Sequence, residues 1–220
     1  MQTTREELNV FVDNLSEIVI RFDSGLTMLM DLENTYKSEK AKYLEYVPYF
    51  FFHVRNAFIR TSLIEIMNLF DEPKNAKTGI PKMLSLVSSY LGNEGKNDPD
   101  IDRILGFIEL SETELKTLDN KLSTIKTHRD KAWGHRDRSY FDNPSAFHEK
   151  YPLFTSELVE FSAVAKKVCK NATLTFLNVD KEMEFIGSEE LRTLIDIFAE
   201  HEKLFDEDAS RYFKEIGIKQ

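Results

Sequence analysis

Residues 5–22 read REELNVFVDNLSEIVIRF, and apolar side chains recur in this stretch every three or four residues. These side chains are Leu8, Phe11, Val12, Leu15, Ile18, Val19 and Phe22. Because an α-helix has about 3.6 residues per turn, they form a stripe on one face, which predicts a long amphipathic helix. Thr3 or Thr4, followed three residues later by Glu6 or Glu7, fits the capping box that begins a helix.

The same helical period continues through the rest of the chain, and the two-residue alternation of a β-strand never persists. Pro48 and Pro81 fit the first turns of two helices, and Ser111 with Glu114 fits the capping box of a third. Beyond the first helix, the pattern predicts helices over residues 48–70, 81–91, from 111 onward, 155–177 and 188–214. We therefore expect an all-α fold: an antiparallel bundle of about six to seven helices in a single domain over residues 1–220.

The composition limits the classes of function. The chain has 41% apolar residues and a net charge of -9, from 29 basic and 38 acidic residues, which disfavours a broad nucleic-acid-coating surface. A single cysteine, Cys169, excludes an intrachain disulfide. The start MQTTREELNV lacks the character of a secretory signal, and the apolar run YVPYFFFHV is too short to span a membrane. These features favour a cytoplasmic protein with no membrane partner.

The stretch HRDKAWGHRD, residues 128–137, holds two His-Arg-Asp triplets around the only tryptophan. The apolar stripe that leads into it contains Leu115, Leu118, Leu122, Ile125 and Ala132. Helical spacing places Arg129 near the middle of this stripe and His128 well off it. Because a guanidinium keeps its charge, Arg129 at such a position requires a carboxylate, a phosphate or a water-filled cleft.

The charge around this stretch favours an anion site. Residues 121–138 contain six Lys or Arg and two Asp, a local charge of +4 on an acidic chain. His135 lies six residues after Arg129, and Gly134 before it allows the helix to bend or end there. The two side chains could then converge on one ligand. Histidine can transfer protons near neutral pH, and arginine suits phosphate geometry.

These residues carry a resemblance to a known family. Arg129-Asp130 followed by His135 fits the R-polar-x4-H pattern of the HEPN superfamily, all-helical domains of prokaryotic defence and toxin-antitoxin systems. The string RDKAWGHRD, with LFDEP closing an earlier helix, resembles the abortive-infection U-type (AbiU-like) HEPN subfamily. The resemblance implies a metal-independent endoribonuclease whose site forms across a homodimer. It implies Arg129 and His135 as the catalytic pair, with Asp130 orienting them, although Gly134 stands where alanine is expected.

Other side chains are weaker candidates for contacts with RNA or phosphate. They are His128, Lys131, Arg136, Arg55 and Asn56. Two interpretations remain for Arg55 and Asn56: they support the Arg129 site from a second helix, or they pair with acidic residues on the first helix. Trp133 fits a packing anchor better than a base-stacking platform.

Two classes of function remain open at this point. In the first, the protein is an endoribonuclease of phage defence or a toxin-antitoxin system, with RNA, a second copy of the chain and an antitoxin as partners. In the second, it is a non-catalytic HEPN-like module that binds a nucleotide, an RNA or a partner protein, and Arg129, Asp130 and Asp137 form ion pairs at a helix end. Neither class requires a cofactor or a metal.

Overall fold

The computed structural model describes residues 3–72, 77–134, 142–183 and 189–215, and of residues 133, 134 and 205–215 it describes the backbone alone. Within these ranges there are nine α-helices and no strand, so the all-α expectation is confirmed. The helices are α1 (Arg5–Tyr36), α2 (Ala41–Leu44), α3 (Pro48–Phe70), α4 (Ile80–Gly92), α5 (Ile101–Lys116), α6 (Asp119–His128), α7 (Pro144–Lys150), α8 (Thr155–Ala172) and α9 (Glu189–Glu215). Two π-helical segments, Arg129–Gly134 and Thr173–Leu177, continue α6 and α8.

The first helix is the centre of the bundle, and it packs against α3, α4 and α8. It begins as predicted, with the Thr4 hydroxyl accepting a hydrogen bond from the Glu7 amide at 3.2 Å and the Glu7 carboxylate accepting one from the Thr4 amide at 2.9 Å. The apolar stripe of α1 is the core of the protein: Leu8, Val12, Leu15, Val19 and Phe22 are all at most 2% exposed. Burial of such side chains contributes roughly 1.5–3 kcal/mol each.

One predicted helix start is wrong. Ser111 does not begin a helix but lies inside α5, fully buried, and its hydroxyl donates to the Phe107 carbonyl oxygen at 2.8 Å. A serine can make this bond to the preceding turn from within a helix, so its presence alone does not mark an N-terminus. The chain instead breaks between Lys116 and Asp119, without a glycine or proline, and α6 begins there. This break and the short helices α2 and α7 raise the number of helices above the predicted six to seven.

The last helix packs on a second, smaller cluster of buried side chains. Ile195 of α9 lies there with Leu32, Tyr43, Leu44 and Phe51. Helix α9 was expected over residues 188–214 and is observed over Glu189–Glu215, while the predicted cap Ser188 lies outside the described residues. Among the helices that the structure describes, none has the length and hydropathy needed to cross a membrane.

Candidate nucleic-acid site

The stretch predicted as a site lies at the end of α6. This helix packs against α3, its side chain Ile125 is buried in the core, and it ends at His128. The backbone then widens into the π-helical segment Arg129–Gly134, which also packs against α3. A π-helical turn shifts side chains out of the register that a regular α-helix would give them, and such turns occur frequently at functional sites.

The predicted positions of His128 and Arg129 relative to the core are wrong. His128 is 1% exposed, whereas the side chain of Arg129 is 29% exposed. The buried row continues from Ile125 through His128 to Ala132, at steps of three and four residues. An imidazole can enter the core in its neutral form, but a guanidinium cannot lose its charge, so the chain buries the histidine and leaves the arginine at the surface.

His128 is held between the end of α6 and the connection that leads into α8. Its Nε2 lies 2.6 Å from the Tyr151 carbonyl oxygen, an arrangement in which Nε2–H donates. The ring also lies edge-on to Phe147, with 5.2 Å between centroids. Burial lowers the pKa of His128, so the ring is neutral at pH 7. Its Nδ1 is buried and has no hydrogen-bond partner among the described residues.

Arg129 is oriented by its neighbour. The Nε–H of Arg129 donates to Oδ1 of Asp130 at 2.7 Å, and both side chains are partly exposed. Within the described part of the chain, the two terminal nitrogens of Arg129 make no hydrogen bond or ion pair. These nitrogens form the flat end of the fork that binds phosphate oxygens in pairs. Asp130 therefore binds the inner nitrogen of Arg129 and does not occupy the outer two.

Lys131 lines a cavity that the sequence did not indicate. The cavity has a volume of about 230 Å³. The described side chains around it are Lys131, Asn143, Ala146, Phe147, Lys150 and Tyr151. The Nζ atoms of Lys131 and Lys150 lie 5.9 Å and 5.3 Å from the centroid of the Tyr151 ring, within the range of cation–π attraction.

Lys150 and Tyr151 were missed because the sequence pattern predicts no helix between the stretch HRDKAWGHRD and residue 155. A signal for α7 was present in Asn143 followed by Pro144, which is the preferred residue order at a helix start. The Asn143 side chain indeed caps the helix by accepting a hydrogen bond from the Ala146 amide at 3.0 Å. Nothing in the local sequence shows that the end of α7 would meet Lys131.

The remaining candidates divide into two groups. Arg55 pairs with Glu33 of α1 at 2.8 Å, as the second interpretation expects, and Asn56 lies beside it on α3, half-buried. Glu33 also accepts a hydrogen bond from Thr155 at 2.8 Å, so Arg55 belongs to a contact between α1, α3 and α8. His135, Arg136 and the side chain of Trp133 lie outside the described residues, and their predicted roles stay predictions.

No group of three or more His, Cys, Asp or Glu side chains within the described ranges is arranged to hold a metal ion. The thiol of Cys169 is fully buried, and burial raises its pKa to about 12. Since the thiolate is the reactive form of cysteine, Cys169 is a core residue and not a nucleophile.

The chain matches a family of known proteins. A family model of HEPN domains, described as AbiU2, matches residues 12–184, a span that includes most of α1, all of α2 through α8 and the whole of residues 128–137. No curated protein and no solved structure matches the chain. The last helix, α9, begins after the matched residues end.

Proposed function

The chain belongs to the AbiU2 family of HEPN domains, and on that premise we propose that it is a metal-independent endoribonuclease that acts in phage defence or a toxin-antitoxin system. Its substrate is RNA, and its active form is a homodimer. The proposal assigns catalysis to Arg129 and His135, with Asp130 as the residue that positions Arg129.

The observation that carries this proposal is the state of Arg129. Its guanidinium is partly exposed, bound by Asp130 through Nε, and open at both terminal nitrogens toward the described part of the protein. A cation in this state can approach the two non-bridging oxygens of a phosphate and stabilise the charge that develops on them during cleavage. Interactions of this type contribute roughly 10²–10³ to the rate of a reaction.

Cleavage of RNA requires two proton transfers and no metal. A base removes the proton of the 2'-OH, whose oxygen attacks phosphorus, and an acid protonates the departing 5'-oxygen. The products are a 2',3'-cyclic phosphate and a free 5'-OH. In the proposed dimer, His135 and the partner's His135 supply the base and the acid, since a two-fold axis brings equivalent residues together.

His128 has a positioning role in this proposal and no part in proton transfer. Its ring is 1% exposed, and its Nε2 is committed to the Tyr151 carbonyl oxygen. A buried, neutral histidine cannot reach a proton on a bound RNA. His128 directly precedes Arg129, and its bound ring therefore fixes where the π-helical segment begins.

A second function is supported by a different observation. The ion pair of Arg129 with Asp130 is also what a structural cation at a helix end would form, and the cavity at Lys131 can hold an anion without any catalysis. These features favour the alternative from the sequence analysis, a non-catalytic HEPN module that binds a nucleotide, an RNA or a partner protein. The two functions differ in the effect of Arg129 on turnover.

The test is cleavage of a mixed set of labelled RNAs by purified protein in EDTA. Arg129→Ala and His135→Ala are compared with wild type and with Arg60→Ala, which removes an exposed arginine of α3 away from the site. We expect cleavage that leaves 2',3'-cyclic phosphate ends and falls by about 10²-fold or more in both site variants, with the control unchanged. No cleavage by wild type, or equal cleavage by all four proteins, would support the binding module.

A further inference from the structure

Two lysines approach one aromatic ring at the cavity beside Arg129. Lys131 lies in the first π-helical segment, and Lys150 is the last residue of α7. Both Nζ atoms lie within 6 Å of the Tyr151 ring centroid. Tyr151 is held in place, because its backbone carbonyl oxygen accepts a hydrogen bond from the buried His128. Two ammonium groups that share one ring repel each other unless an anion joins them.

These lysines have no acidic partner among the described residues, and this distinguishes them from the lysines at a second cavity. That cavity is lined by Lys166, Lys167 and Lys170 of α8. Each of its lysines is paired with a carboxylate, Asp23 at 2.9 Å, Glu114 at 2.6 Å and Asp180 at 3.1 Å respectively. The positive charge at the second cavity is thus neutralised within the protein, whereas that of Lys131 and Lys150 is left for a ligand.

The size of the cavity limits the ligand. Its volume of about 230 Å³ lies below the roughly 300–1,000 Å³ of pockets that enclose a whole small molecule. It suits one charged group of a larger ligand better than a complete nucleotide. One wall is rigid, because Phe147 is 5% exposed and packs edge-on against the fully buried His128.

We propose that Lys131 and Lys150 bind a backbone phosphate of the same single-stranded RNA whose scissile phosphate Arg129 contacts. Lys131 follows Arg129 by two residues, so their Cα atoms are at most about 7 Å apart, while side chains at this spacing on a helix point to different sides and contact different parts of the strand. The cavity holds the strand in register and does not take part in the chemistry. This assignment rests on the proposed function, because it takes RNA as the ligand.

The test separates binding from cleavage by using His135→Ala protein as the background. Affinity for a fluorescein-labelled single-stranded RNA is measured by anisotropy between about 50 and 200 mM salt. Each phosphate that the protein neutralises contributes about 0.7 to the slope of log K against log salt concentration for single strands. Because Lys131 and Lys150 bind one phosphate together, adding Lys131→Gln and Lys150→Gln should lower this slope by about 0.7.

The matched control is Lys167→Gln with Lys170→Gln, which removes the same two charges from the lysines that already have carboxylate partners. We expect the control to keep the slope of its background protein. Circular dichroism and thermal melting verify that each variant is folded. An equal slope in the Lys131 and Lys150 variant, or an equal loss in both double variants, overturns the phosphate site.

Competition identifies the source of the phosphate. Inorganic phosphate and adenosine 5'-monophosphate are added to the complex at increasing concentration. Weak competition by both supports a site that reads one phosphate of a strand, whereas tight displacement by the free nucleotide overturns the assignment to RNA. Failure of the proposed function is distinguishable, because wild type that binds RNA with the expected slope but cleaves none would refute the ribonuclease and leave the phosphate site standing.

Discussion

The two π-helical segments have the same backbone form and opposite surroundings. Thr173–Leu177 ends α8 inside the bundle, where Phe176 is 4% exposed, and the arginines that meet it satisfy its carbonyl groups. Arg129–Gly134 ends α6 and presents Arg129 and Lys131, which are only partly buried. A π-helical turn is therefore not itself the mark of a site. The difference lies in whether the charged groups around it are already paired.

The pairing at the second segment is extensive. Arg5 donates to the Thr175 carbonyl oxygen at 3.0 Å and to Asp98 at 3.1 Å, and Arg103 donates to the Thr175 carbonyl oxygen at 2.9 Å. The Tyr90 hydroxyl completes the cluster with a hydrogen bond of 2.5 Å to Asp98. The carbonyls that a wider helical turn exposes are bound here by cations from α1 and α5, and both cations are also paired with carboxylates.

The largest effect expected from this comparison is on stability, at Arg5. Arg5→Ala leaves Asp98, whose side chain is 8% exposed, without its cation and removes a donor from the Thr175 carbonyl. Loss of one partner of a buried pair costs about 3–5 kcal/mol, and since Arg5 itself is 28% exposed we expect about 2–3 kcal/mol. Urea unfolding at pH 7 measures this loss.

Arg129→Ala is the matched change at the first segment. We expect it to alter the free energy of unfolding by less than about 0.5 kcal/mol, because its single ion pair, with Asp130, is partly exposed. Arg103→Ala, which removes an exposed pair and one hydrogen bond, should fall between the two, at about 1 kcal/mol. A larger loss for Arg129→Ala than for Arg5→Ala would reverse the distinction between the segments.

Much of the fold could be predicted from the sequence, because helical period and caps are local signals. The bounds of α3 were predicted to the residue, and the capping box of α1 lies where Thr4 and Glu7 indicated it. The break between α5 and α6 could not be predicted, since Lys116 and Thr117 give no sign of a helix end. Tertiary packing of Ser111 in the core outweighed its capping preference.

The candidate site was predicted in part. The sequence identified Arg129 as a charged residue in an apolar row, but the prediction assumed one regular helix from Ser111, whereas the chain breaks before α6 and the buried row runs through His128. Neither this break nor the π-helical turn that follows α6 leaves a local signal in the sequence. Lys150 could not be connected with Lys131 because they lie 19 positions apart, and only the packing of Phe147 and Tyr151 on His128 brings them to one ring.

The two π-helical segments also differ in the pH at which the side chains beside them stop stabilising the protein, and this effect is smaller. Burial lowers the pKa of His128 from its ordinary value of 6.5, so on acidification the unfolded chain takes up a proton first and stability falls below about pH 6.5. Burial alone would raise the pKa of Asp98, but the hydrogen bonds from Tyr90 and the Asp100 amide and the charge of Arg5 lower it below 3.8. The stabilisation from Asp98 is therefore lost only below about pH 3.8.

His128→Phe separates these two pH ranges. The variant keeps an aromatic ring against Phe147 but cannot titrate, so between pH 7.5 and 5.5 we expect it to lose about 1 kcal/mol less stability than wild type. Urea unfolding at both pH values gives the difference, and His53→Gln, at an exposed histidine of α3, should behave as wild type does. Identical pH dependence in His128→Phe and wild type would mean that His128 is not kept neutral by the fold.

The last effect concerns how the second segment ends. Asn178 follows Leu177 with φ of 55°, in the left-handed region that asparagine and glycine tolerate better than other residues. The backbone amides of Asn178 and Val179 both donate to the Thr173 carbonyl oxygen, the second at 3.3 Å. The left-handed residue thus turns the chain so that a freed carbonyl is satisfied at the exit from the turn.

Asn178→Ala should therefore lose about 0.5–1 kcal/mol in urea unfolding, and Asn178→Gly should stay within a few tenths of wild type. Neither change should affect RNA binding or cleavage, because every polar group it alters lies at the segment whose charges are paired internally. An effect of Asn178→Ala on RNA affinity, at unchanged stability, would show that the two segments communicate. The absence of that effect would leave one property that separates a functional turn from a structural one: the outer nitrogens of Arg129 and the ammonium groups of Lys131 and Lys150 have no carboxylate partner among the described residues.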